Sequence, residues 1–203
     1  MIKAIIFDFG RVITAQKPPS LFRSYETELG LDPDTINPIM FESQAWQDTL
    51  LGRKTAEEFW YLIGPELGLT NVDEINRFRL RYHADEAINS AVLDLIRTLH
   101  GSYRLAILSN SPPGLDQWLA DWKIRDLFEV VFCSGDEGII KPDPDAFKLT
   151  LERLGAAPGE AAFVDDTREH VEAARKLGIH GIVFTTAEAL NNELKNVLGS
   201  GID

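Results

Sequence analysis

The chain has 203 residues, 44% hydrophobic and 26% charged, with a formal net charge of −12, the make-up of an ordinary globular protein. So acidic a chain repels a polyphosphate backbone and shows no lysine or arginine stripe to offset this, which argues against nucleic acid as a partner. One cysteine, Cys133, excludes an internal disulfide, and no apolar run is long enough to span a bilayer.

The first element is a short, nearly continuous apolar run at residues 2–7, as expected of a parallel strand buried on both faces. Asp8 ends it too early for a secretory signal, so a cytoplasmic location is the default expectation. A parallel crossover needs a dozen or more residues, yet roughly 90 intervene before the next such run. Lys17-Pro18-Pro19-Ser20 reads as a loop at the start of that interval. Apolar residues then recur at helical spacing: Leu21, Phe22, Tyr25 and Leu29; Trp46 and Leu50; Phe59, Ile63 and Leu67; Ile75, Phe78 and Tyr82. Residues 15–86 are therefore expected to form a small all-helical insertion, with Trp46 and Trp60 packing its helices.

Ile88, Val92, Leu95 and Leu99 begin a second series of helical periods, continued by Phe147, Leu151 and Leu154 and by Val171, Ala174 and Leu177. Between these lie strand-length runs at 103–108, 130–133, 161–164 and 181–184. Gly155 and Gly178 stand where helix C-terminal glycines belong, and Asp143-Pro144 reads as an N-cap and first helical residue. The alternation predicts an α/β fold: a doubly wound, Rossmann-like parallel sheet with helices on both faces. Residues 1–14 and 87–203 would form this core.

Three strands end alike. Phe7 is followed by Asp8, Leu108 by Ser109-Asn110, and Val164 by Asp165-Asp166. The carboxyl ends of parallel strands share one edge of the sheet, so these residues can converge there. Lys141 precedes the Asp143-Pro144 helix start on the same side. Together they offer a nucleophilic carboxylate, further carboxylates for a hard cation such as Mg²⁺, hydroxyl and backbone donors, and one ammonium. That set suits attack on a phosphorylated small molecule, because cations offset the charge of a transferring phosphoryl group.

These segments, Ile5-Ile6-Phe7-Asp8-Phe9-Gly10, Leu108-Ser109-Asn110, Lys141-Pro142 and Phe163-Val164-Asp165-Asp166, resemble the four motifs of the haloacid dehalogenase-like hydrolase superfamily. The helical insertion lies where that family carries its cap. The resemblance implies Asp8 as nucleophile and, with the carbonyl of Gly10, as a metal ligand. It implies Ser109 and the backbone of Asn110 as holders of the phosphoryl oxygens, with Lys141 neutralising charge. Asp166 would ligate Mg²⁺ directly, and Asp165 either directly or from outside.

Phosphatases of the superfamily usually carry a second aspartate, the general acid, where this sequence has Gly10. The glycine is similar to the branch of bacterial α-D-glucose-1-phosphate phosphatase and the phosphatase domain of soluble epoxide hydrolase. Without that acid the leaving group must need little protonation, as in an anomeric sugar phosphate, acyl phosphate or aryl phosphate. A metal-free 2-haloacid dehalogenase and a non-catalytic binding protein are the alternatives. Against the first stands the pair Asp165-Asp166, and against the second the retention of every other motif residue. Arg11, His170 and His83 are read first as solvated side chains.

Overall fold

A computed structural model describes residues 1–198; residues 199–203 of the expected core lie outside the described residues. Five parallel strands form one sheet in the order β3-β2-β1-β4-β5. They are β1 (Ala4–Phe7), β2 (Arg104–Ser109), β3 (Val130–Cys133), β4 (Ala161–Asp165) and β5 (His180–Val183). The expected apolar runs are thus the strands: 130–133 coincides with β3, and the others differ at their ends by one or two residues. In β1, Phe7 pairs with Ile107 of β2 and with Val164 of β4, which aligns the three polar strand ends side by side.

Period-two alternation sends side chains of β1 to two separate cores. Ile5 and Phe7 face Val92 and Ile96 of α5 (Ser90–Leu99), Leu119 of α6 (Leu115–Asp121), and Leu190 and Leu194 of α10 (Ala187–Leu198). Ala4 and Ile6 face Phe147 and Leu151 of α8 (Pro144–Leu154) and Ala174 of α9 (Arg168–Lys176). Phe147 meets Phe163 edge-on, centroids 5.2 Å apart, so truncating it to alanine would cost about 3–5 kcal/mol. Asp143 caps α8 as predicted, its side chain accepting from the Asp145 N–H with Pro144 in the first turn. Gly155 ends that helix at φ 57°.

Between β1 and β2 lie α1 (Pro19–Leu29), α2 (Gln44–Leu50), α3 (Ala56–Ile63) and α4 (Val72–Ala84), each over one of the expected apolar periods. The Lys17–Ser20 loop is shorter than expected: Pro19 starts α1, because its fixed φ and missing N–H suit a first helical turn. Thr55 and Glu58 form a reciprocal capping box at α3. This segment has its own apolar core, in which Tyr25, Phe59, Trp60, Ile63, Phe78 and Tyr82 are buried and Trp46 packs on Phe41 and Phe59.

The two chain crossings into and out of this segment are zipped together. The Ala15 N–H donates to the Ala87 carbonyl at 2.7 Å, the Asn89 N–H to the Ile13 carbonyl at 2.8 Å, and Lys17 pairs with Glu86 at 2.7 Å. Among the described residues no helix is long and apolar enough to cross a membrane.

Candidate active site

Asp8 leaves β1 in extended conformation, and residues Phe9–Ile13 form a wide turn closed by the Thr14 N–H on the Phe9 carbonyl at 2.9 Å. Gly10 has φ −65° and ψ 129°, open to any residue type, and a Cβ there would meet only Asp8 Oδ2, at 4.0 Å. The turn instead needs its left-handed residue at Arg11, φ 58°, whose N–H donates to Thr14 Oγ1. Arg11 is 59% exposed, and its Nε lies 3.0 Å from Asp166 Oδ2. It therefore touches the site while remaining largely solvated.

Lys141 is buried with its ammonium between two carboxylates. It donates to Asp8 Oδ1 at 2.7 Å and to Asp165 Oδ2 at 2.6 Å. Its backbone is clasped by the Asn110 side chain, which donates from Nδ2 to the Lys141 carbonyl at 2.9 Å and accepts from the Lys141 N–H at 2.7 Å. Asn110 thus has a second use for its side chain, beyond the backbone role expected of it. Ser109, the last residue of β2, is buried at the same edge.

Asp165 is fully buried and heavily engaged. Besides Lys141 it accepts from the Thr167 N–H on Oδ1 at 2.7 Å, and its Oδ2 lies 3.0 Å from His170 Nδ1. His170 is therefore not the exposed helix histidine expected: α9 turns it inward onto Asp165, leaving 17% of its side chain exposed. His83 is also drawn in, half-buried and edge-on to Trp118 of α6 at 5.0 Å, where burial first and then Lys17 lower its pKa to about 4. Local sequence carried no signal for either contact: Trp118 is remote from His83 in the chain, and the spacing of Asp165 and His170 fits a solvated helix face equally well.

Asp8, Asp165 and Asp166 each offer a carboxylate oxygen within 4.8 Å of the others. Burial pushes the Asp8 carboxyl up to about 6, against the pull of Lys141 and helped by the negative charge of Asp165. Burial acts the same way on Asp165, but the His170 hydrogen bond and the Lys141 charge outweigh it and hold that carboxyl below its ordinary value. Burial alone would lower Lys141, yet the two carboxylates keep its pKa above the usual lysine value, so it remains an ammonium. Three carboxylates against Lys141 leave an oxygen-rich, net negative cluster that fits a hard divalent cation.

Known proteins resemble the chain along its whole length. The sesquiterpene phosphatase astK of Aspergillus oryzae is 28% identical, the match covering 97% of each chain. D-Ribitol-5-phosphate phosphatase of Bacteroides thetaiotaomicron is 26% identical over 98% of this chain and 100% of that one. The chain spans 37% of the length of a further relative at 27% identity, the drimenol cyclase drtB of Aspergillus calidoustus. A haloacid dehalogenase family enzyme of Bacteroides thetaiotaomicron, solved with magnesium and inorganic phosphate, shares the fold at a TM-score of 0.75 and 23% identity, covering 91% and 95% of the two chains. The model of the haloacid dehalogenase-like hydrolases matches residues 2–178, and the chain belongs to that hydrolase family, among relatives that are phosphatases.

Proposed function

We propose that the protein is a Mg²⁺-dependent phosphatase that hydrolyses a small phosphorylated metabolite through an aspartyl-phosphate on Asp8. The observation that carries this is the Lys141 ammonium fixed between Asp8 and Asp165, with Asp166 completing a carboxylate cluster at the same strand ends. In this reading an oxygen of Asp8 attacks phosphorus and the leaving oxygen departs with its bonding electrons. Water then cleaves the acyl phosphate, regenerating Asp8 and releasing inorganic phosphate. Ser109 and the Asn110 backbone hold phosphoryl oxygens, and Lys141 keeps its positive charge beside Asp8 throughout.

Asp8, the Gly10 carbonyl and Asp166 are the proposed metal ligands. Asp165, its oxygens already engaged by Lys141, His170 and Thr167, orients the lysine from outside the ligand set. The ion would supply positive charge opposite the transferring phosphoryl group. Residues 15–86 would act as a cap over the strand ends, excluding water from the acyl phosphate. Because Gly10 supplies no acid, the preferred substrates are sugar 1-phosphates, acyl phosphates or aryl phosphates.

Phosphate release from a panel of such esters, with and without Mg²⁺, tests the reading beside Asp8→Asn. Turnover that survives that substitution, or halide release from a chloroacid in chelator, would overturn it.

A further inference from the structure

We propose that Gly52 and Gly135 are positioning residues that seat the helical segment on the core beside the phosphate-holding loop. This rests on the reading of residues 15–86 as a cap over a phosphatase site. Gly52 follows α2 at φ +69°, and a Cβ built on it would lie 2.2 Å from the Gly135 carbonyl oxygen. No side chain tolerates that distance, so the Gly135 backbone occupies the space where any other residue at 52 would carry its first carbon. Gly135 is closed in from elsewhere too: a Cβ there would stand 2.5 Å from both N and Cδ of Pro113.

The place of contact gives it meaning. Gly135 lies in the short helix α7 (Ser134–Glu137), directly after β3. Its N–H donates to the Ser111 carbonyl at 3.1 Å, and the Ser111 N–H donates to Ser134 Oγ at 3.0 Å. Ser111 continues the Ser109-Asn110 segment, whose Asn110 clasps the backbone of Lys141. The insertion is thus tied to the core at its zipped linkers, and rests through Gly52 on backbone hydrogen-bonded to the loop that positions the phosphate and the lysine. Close-packed backbones do not compress, so a methyl group at 52 must lift this seat by about 1 Å. Misplacement of that order costs a reaction on the order of 10²-fold.

Gly30 provides a matched control. It lies in the same segment at φ +68° with no atom within 4 Å of its Cβ position, so Gly30→Ala imposes the same left-handed backbone without the contact. Gly52→Ala is the first test variant and Gly52→Asn the second, because asparagine tolerates positive φ and keeps the clash with less backbone strain. All three full-length variants would be followed by hydrogen-exchange mass spectrometry and by steady-state kinetics with Mg²⁺ on acetyl phosphate and a sugar 1-phosphate.

The expected result is faster exchange over residues 50–53 and 134–138 in both Gly52 variants but not in Gly30→Ala. With it should come a kcat/KM for the sugar phosphate lower by on the order of 10²-fold, and a smaller loss for acetyl phosphate, whose leaving group needs less enclosure. Exchange and kinetics in the Gly52 variants that match Gly30→Ala would overturn the proposal. Wild-type protein without phosphatase activity would instead defeat the functional reading, and the exchange comparison would still decide whether the seat exists.

Discussion

Asp8→Asn should stabilise the metal-free protein at neutral pH while abolishing its reactivity. Burial raises the Asp8 pKa from 3.8 to about 6, against the pull of Lys141. The folded state therefore binds this proton more tightly than the unfolded chain does. Between pH 3.8 and about 6 the folded protein carries the extra proton, so this group's contribution to stability falls as pH rises through that window. Above the window the loss is constant. Its size is the difference between about 6 and 3.8 multiplied by about 1.4 kcal/mol per unit, or about 3 kcal/mol.

Asparagine keeps the shape and can accept from the Lys141 ammonium through its amide oxygen, while Asp165 continues to neutralise that lysine. The variant should thus escape the penalty, a gain of roughly 6–12 °C in Tm for a chain of this size. Urea denaturation of both proteins in chelator from pH 4 to pH 8 measures it. The two stabilities should coincide near pH 4 and separate to about 3 kcal/mol by pH 7. Excess Mg²⁺ should narrow the gap by binding the folded wild type. A gap that does not change with pH, or a variant less stable than wild type at pH 7, would refute the burial argument.

Lys141→Met leaves Asp8 and Asp165 facing each other without their shared cation, and should cost roughly 3–5 kcal/mol by denaturation, partly recovered when Asp8→Asn is added. Asn110→Ala removes both hydrogen bonds to the Lys141 backbone; steady-state kinetics should show kcat falling more than KM rises, with about 1–3 kcal/mol of stability lost. Gly10→Asp should fold normally, since φ −65° suits aspartate and the space beside Asp8 is open. On alkyl phosphates it should be on the order of 10–10²-fold faster, with little change on aryl phosphates. An aryl gain as large as the alkyl gain would sink the leaving-group argument.

The sheet was legible in the sequence because each strand is buried over most of its length and so reads as a nearly continuous apolar run. Where a strand met the edge that carries the candidate site, as at Phe7-Asp8 and Val164-Asp165, the abrupt change of polarity marked that site as well as the strand end. Helix starts and stops were equally readable at Asp143-Pro144 and Gly155, where a local backbone requirement selects the residue. What stayed hidden are contacts between polar groups that no periodicity or local backbone requirement marks. Asn110 and Lys141 are 31 residues apart, and their pairing leaves no periodicity to detect. His170 sits five residues beyond Asp165, a spacing that a solvated helix face would produce equally well. The left-handed turn at Arg11 was invisible for a different reason: the neighbouring Gly10 is the residue one would assign to it, and the backbone there does not require glycine.

The middle position of β1 carries a consequence for how the reactive centre comes into being. Ala4 pairs with Arg104 on one side and with Ala161 on the other, so β1 waits for neighbours about 100 and about 160 residues further along the chain. The helical segment after it is built on contacts of much shorter range and can gather first, since loop closure is the slow part of such topologies. During that wait Asp8 has no lysine beside it and no carboxylate partners. In the proposed mechanism the site is complete only once β4 docks and brings Asp165 against Lys141, so a chain that lacks this strand should hold Asp8 without the arrangement that activates it.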